Sequence, residues 1–222
     1  MINALTYIES NPAGEVKASV IWLHGLGDSG HGFAPIVPEL KLPDALGIRF
    51  VFPHAPERAV TINGGMRMRA WYDIKSMDFD KRADSAGVRE SAELVTQLID
   101  KEIASGVPAN KIVLAGFSQG GVIALHLGPR LNYTLAGIMG LSTYMAEPSL
   151  LAEEAAPANA NTPIFMAHGE QDNVVPITMG KAACQTLQAQ GYSVSWQSYP
   201  IQHNVCMDEL NAISLWLQER LR

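Results

Sequence analysis

Residues 111–128 read KIVLAGFSQGGVIALHLG. After Lys111 the next six are apolar and include β-formers, as a buried strand requires. Residues 119–128 carry apolar side chains at helical spacing and stop at Gly128-Pro129. Only Ser118 separates strand from helix, and the pattern around it, Gly116-Phe117-Ser118-Gln119-Gly120, is G-x-S-x-G. A serine on so sharp a turn sits on a strained backbone with its hydroxyl exposed. Strand and helix crowd together there, so the residues two before and two after must be small. The plainer alternative is a serine that caps the helix with its side chain. The strand before and the helix after favour the first reading, which makes Ser118 a candidate nucleophile.

Working outward, strand-like runs cover 18–25, 48–56, 135–142, 162–169 and 192–200, and helical patterns cover 85–106, 178–190 and 206–221. Strands alternating with helices at this spacing predict a mostly parallel central sheet with helices on both faces, an α/β fold. Ligands in such sheets bind at the C-terminal ends of the strands. The stretch 57–84 fits neither period and is long for a connector. It reads either as a surface excursion or as one wall of an apolar pocket. Met66, Met68 and Trp71 are its candidate lining residues, joined by Val174 and Ile201 near the acid and the base below.

A neutral serine hydroxyl needs a base, usually histidine, and an acid that fixes the histidine tautomer. For a serine on this kind of turn the chain order is Ser, then Asp or Glu, then His. That order selects His203, just past the strand that ends at Tyr199-Pro200, and Asp172, just past the strand 162–169. His168 precedes Asp172 and would break the order, so it is expected to be bonded within its own loop. Glu170 is the second choice of acid. Asp208 follows His203 and reads as an early-helix charge facing the dipole.

The chemistry also needs donors for a tetrahedral oxyanion. They are usually the backbone N–H after the nucleophile and one from a loop after an early strand. These are Gln119 and, in the loop HGLGDSG (24–30), Leu26. That loop also matches G-x-G-x-x-G, the signature of a dinucleotide-binding turn. HGF followed by Pro35 continues poorly into a packed helix, and the strand 48–56 has no acidic residue at its end for a ribose. Gly30 is followed by His31-Gly32 and not by Lys-Ser/Thr, so a P-loop fails as well.

The bulk numbers exclude other classes. Of 222 residues, 47% are hydrophobic and 17% charged, which argues against disorder, and the net charge of −6 comes with no basic run for nucleic acid. No apolar run approaches the roughly 18 residues of a membrane span, and the first residues lack a signal-peptide pattern. Two cysteines, Cys184 and Cys206, make no disulfide framework, and there is no C-x-x-C or H-E-x-x-H for a metal. Nothing divides the chain, so 1–222 reads as one domain. A cytoplasmic location is expected.

The words WLHGLGDSGHGF (22–33), PHAP (53–56), WYD (71–73), GFSQGG (116–121), HGEQDNVVP (168–176) and HNVC (203–206) resemble, in order, those of the phospholipase/carboxylesterase family of α/β-hydrolases, which includes acyl-protein thioesterases. The resemblance implies the α/β-hydrolase fold and esterase or thioesterase activity without cofactor or metal. It implies Ser118, Asp172 and His203 as triad, with Leu26 and Gln119 as oxyanion donors. Ile201-Gln202 departs from the family's usual pair before the histidine, and Cys206 reads as a packed thiol. The implied partner is a small acyl ester or thioester, an acylated protein or a lysolipid. A lysophospholipase, or a ligand-binding protein on the same fold, remains the alternative, and a homodimer is left open.

Overall fold

The computed structural model describes residues 4–76 and 83–222. Seven strands form one sheet: β1 (Tyr7–Ser10), β2 (Ala18–Leu23), β3 (Ile48–Pro53), β6 (Ile112–Phe117), β7 (Gly137–Leu141), β8 (Ile164–Gly169) and β9 (Val194–Tyr199). Their order is β1-β3-β2-β6-β7-β8-β9, with β1 antiparallel and all other neighbours parallel. This is the α/β-hydrolase sheet expected above.

The central strands are apolar without a break because both faces are covered. All of β2 is buried. Ile21 and Leu23 face a core with α3 (Ser85–Ala104), α4 (Gln119–Leu127) and α6 (Ile177–Ala189), through residues such as Leu94, Val122 and Leu187. Val20 and Trp22 face the opposite core, built on α7 (Met207–Leu221) through Leu210, Ile213 and Trp216. The strand period of two thus divides one run between two cores. Short helices α1 (Gly30–Phe33), α2 (Ile36–Glu39) and α5 (Leu151–Glu154) fill the connections.

The region 57–84 departs from expectation. It begins as a hairpin of β4 (Glu57–Val60) and β5 (Met66–Arg69), registered Glu57 to Arg69 and Val60 to Met66. Its strands are mostly exposed, so the alternation that would reveal them involves little burial. Residues 77–82 of that region lie outside the described residues. Cys184 is buried, Cys206 is half-buried at the N-cap of α7, and both are free thiols. Among the described residues no helix is long and apolar enough to cross a membrane.

Candidate active site

Ser118 sits between β6 and α4 with φ 54° and ψ −119°, a backbone that a non-glycine residue adopts only under constraint. The constraint is visible on both sides. Its N–H donates to Leu141 O (2.8 Å), and its carbonyl accepts from Thr143 Oγ1 (2.7 Å). A Cβ on Gly116 would lie 2.2 Å from Gly120 O, and one on Gly120 would lie 2.4 Å from Leu23 O. Both glycines are therefore required by close approach. Ser118 stands at the N-cap of α4 yet makes no side-chain cap bond, which removes the capping alternative.

Its hydroxyl instead meets His203 Nε2 at 2.9 Å, and His203 Nδ1 meets Asp172 Oδ2 at 2.6 Å. The three residues come together because the sheet ladder continues past its strands. Glu170 N donates to Tyr199 O (2.7 Å) and Gln171 N to Ile201 O (3.0 Å), so the segments bearing Asp172 and His203 stay paired. Gly169 permits this, since a Cβ there would lie 2.3 Å from Gln202 O. Phe117 packs on the imidazole of His203 with ring centroids 4.8 Å apart.

Asp172 is buried, and its other oxygen, Oδ1, accepts from Val174 N (2.9 Å) and Val175 N (2.8 Å). Burial pushes this carboxyl up, but the bonds from His203 and from the Val175 and Val174 amides outweigh it and hold it below its ordinary value. It is a carboxylate. His168 is bonded within its loop: Nε2 donates to Val175 O (2.8 Å) and lies 3.5 Å from Asp172 Oδ2. Burial lowers its pKa. Glu170 accepts from Ser198 Oγ (2.9 Å) and points elsewhere, and Asp208 is exposed in the first turn of α7.

The loop after β2 answers whether its glycines cradle a phosphate. Gly27 N donates to Arg69 O, Asp28 N to Gly25 O, Ser29 N to Asp28 Oδ1, Gly30 N to His54 Nδ1, His31 N to Ser29 Oγ and Gly32 N to Ser29 O. The amides that a pyrophosphate would need are spent, and α1 is one turn long. Leu26 N–H has no partner among the described residues, and neither does Gln119 N–H at the start of α4.

Of the expected pocket residues, Met66 is exposed, Met68 half-buried near Gly27, Val174 exposed and Ile201 half-buried. Trp71 corrects the expectation. It has no exposed surface and so forms no wall; it belongs to the core beside the loop after β2. Its indole N–H donates to His24 O (2.9 Å) and its backbone N–H to Gln119 Oε1 (2.7 Å), while Gln119 Nε2 donates to Tyr72 O (2.7 Å). A cavity of about 450 Å³ lies instead by the loop after β7, lined by Tyr144, Met145, Leu150, Met179 and Ala183 among others. None of the five expected residues lines it. Tyr144 directly follows Thr143, the residue bonded to Ser118 O, but no motif marks it in the sequence.

A parallel sheet carrying a strained serine between its central strand and the following helix defines the α/β-hydrolases. The phospholipase/carboxylesterase model matches residues 6–221, and the chain belongs to that family; it is a hydrolase acting on esters. It is 44% identical to acyl-protein thioesterase 1 of Neurospora crassa, over 92% of this chain and 87% of that one. It is 34% identical to acyl-protein thioesterase 1 of Cryptococcus neoformans over the full length of both. Among solved structures it is similar to acyl-protein thioesterase 2 of Zea mays, with 29% identity, TM-score 0.87, and 98% and 99% of the two chains covered. It is also similar to SOBER1 of Arabidopsis thaliana, with 31% identity, TM-score 0.87, and 93% and 100% covered.

Proposed function

We propose that the protein is a serine hydrolase that removes acyl groups from thioesters and oxyesters, acylated proteins included. The observation that carries this reading is the chain of contacts from Ser118 Oγ through His203 to Asp172, 2.9 Å and 2.6 Å. The names of the relatives, acyl-protein thioesterases, support the substrate class.

His203 Nε2 takes the Ser118 proton as Oγ attacks the acyl carbon. Asp172 accepts the Nδ1–H of His203 and stabilises the imidazolium that forms. The negative charge on the former carbonyl oxygen is met by the N–H groups of Leu26 and Gln119. His203 returns the proton to the departing thiol or alcohol, which leaves an acyl ester on Ser118. Water, activated by His203, then cleaves that ester and releases the carboxylic acid. The acyl chain occupies the cavity beside Tyr144, Met145 and Met179. No step calls for a cofactor, and the reading has the chain working as one domain in the cytoplasm.

A fluorophosphonate should label wild-type protein once, at Ser118. Hydrolysis of a matched thioester and oxyester series from C2 to C16 should be abolished in Ser118→Ala, and Met179→Trp should shift preference toward short chains. Labelling that persists in Ser118→Ala, or a chain-length profile unmoved in Met179→Trp, would overturn the nucleophile or the acyl site respectively.

A further inference from the structure

We infer that His24 is a positioning residue for the oxyanion site, in which its ring, as the Nδ1–H tautomer, aims the Leu26 N–H toward Ser118. The inference rests on the proposed role of Leu26. The Leu26 N–H and the Gly25 carbonyl belong to the same peptide, and the described chain contains no cis peptide bond. In a trans peptide the N–H and C=O point in opposite directions, so whatever grips Gly25 O sets where Leu26 N–H points.

The grip is His24. Its Nδ1 lies 2.6 Å from Gly25 O. A carbonyl can only accept, so Nδ1 carries the hydrogen. The other ring nitrogen is committed as an acceptor, because Ala55 N–H donates to Nε2 at 3.0 Å. These two partners admit one protonation state, the neutral ring with its hydrogen on Nδ1. An imidazolium would set a second N–H against the Ala55 amide. The surroundings agree with a neutral ring: His24 is buried, and burial drives its pKa down against the pull of the Gly25 carbonyl and Asp28, with His54 and Arg69 adding to the fall.

Two further contacts stiffen the arrangement. The carbonyl of His24 accepts from the Trp71 indole (2.9 Å), whose ring centroid lies 5.3 Å from that of the imidazole. The backbone N–H of Trp71 is held in turn by the side chain of Gln119, the residue whose own N–H is the second proposed donor (2.7 Å). The two donors, far apart in the chain, are thus tied through His24, Trp71 and the Gln119 amide. Gly25 packs beside the nucleophile: a Cβ there would lie 3.4 Å from Phe117 Cδ1 and Ser118 Cβ, in ordinary contact.

Two substitutions separate the two functions of the ring. The amide nitrogen of asparagine falls near the place of Nδ1 and can still donate to Gly25 O. The end of a glutamine side chain falls near the place of Nε2 and can still accept from Ala55 N–H. With 4-nitrophenyl butyrate, His24→Gln should lower kcat and kcat/KM together by about 10- to 100-fold, less than the 10²–10³ of a deleted donor. KM should stay within a few-fold. The inhibition constant of a boronic acid, which becomes a tetrahedral anion on Ser118, should rise by a similar factor. His24→Asn should lose only a few-fold. A folded His24→Gln with wild-type kcat and boronate affinity, or a loss seen in KM alone, overturns the inference, as does the reverse ranking of the two variants.

Leu26→Pro and Ser118→Ala, measured alongside, keep the failures distinct. Turnover in Ser118→Ala would sink the nucleophile reading. Wild-type turnover in folded Leu26→Pro would sink the oxyanion reading. Loss in Leu26→Pro without loss in His24→Gln would sink only the role of His24. If neither His24 variant folds, ¹⁵N-histidine spectra of the wild-type protein decide: an Nδ1–H ring unchanged from pH 5 to 8 supports the inference, and an Nε2–H ring or one that titrates in that range overturns it.

Discussion

His168 and His203 hang from the C-terminal ends of neighbouring strands and lie beside the same carboxylate oxygen. Asp172 Oδ2 is 3.5 Å from His168 Nε2 and 2.6 Å from His203 Nδ1. Nearness to an aspartate therefore does not by itself tell the two rings apart. The difference is in what the rest of each ring does. His168 gives its Nε2–H to Val175 O, and its Nδ1, with Gly180 packed close, has no partner among the described residues. His203 gives its Nδ1–H to Asp172 and turns its free nitrogen to Ser118. One ring secures the turn that presents Asp172; the other is proposed to use it.

The contrast breaks first at His203. His203→Ala should lower turnover by about 10⁵–10⁶, as loss of the base does in other serine triads, with melting temperature nearly unchanged. Steady-state kinetics with an activated ester measures this, and turnover above one per cent of wild type would hand the base role elsewhere.

Asp172→Asn comes next. The side-chain amide leaves an acceptor but removes the charge, and the tautomer of His203 is lost. Turnover should fall about 10⁴-fold. Glu170→Gln, which touches only the bond to Ser198, should stay within about twofold, and the opposite ranking would make Glu170 the acid.

How much of this the sequence carried differs by kind of interaction. The six longer strands and four longer helices were legible because complete burial leaves long apolar runs or a helical period. β1 was not, since YIES is a four-residue edge strand of mixed polarity. Nor was the β4–β5 hairpin, whose charged strands bury little. Ser118, Asp172 and His203 could be picked out by chain order, because each follows a strand in the same sheet. Trp71 could not be placed: a Met- and aromatic-rich stretch looks alike whether it lines a pocket or braces a loop, and only its bonds to His24 and Gln119 decide. Tyr144 and Met179 come to one cavity from segments with no shared motif.

His168→Leu sharpens the comparison from the other side. It removes the donor to Val175 O and leaves a buried carbonyl unpaired, at a cost of about 1–3 kcal/mol. For a chain of this size that is a fall in melting temperature of roughly 2–12 °C. Turnover in the folded fraction should drop only a few-fold, because Asp172 keeps the Val174 and Val175 amides. A loss comparable with His203→Ala would mean that His168 takes part in the chemistry.

The smallest effect on turnover is expected at Glu209, the third residue of α7, the helix that begins just after the His203 loop. Its carboxyl is fully buried, and neither oxygen has a hydrogen-bond partner of full geometry among the described residues; the Cys206 amide exerts only a weak downward pull. Burial pushes its pKa from the ordinary 4.5 up to about 8. Between those values the unfolded chain has released this proton while the folded chain keeps it. The folded state then binds more protons, so stability falls as pH rises from about 4.5 and levels off above about 8. Glu209→Gln keeps the shape of the protonated acid and has no proton to lose. Its melting temperature should match wild type near pH 4.5 and exceed it progressively toward pH 8, with turnover at neutral pH unchanged. Parallel melting curves with pH would show that Glu209 is ionised in the folded protein, and a loss of turnover in Glu209→Gln would extend the site from His203 into the start of α7.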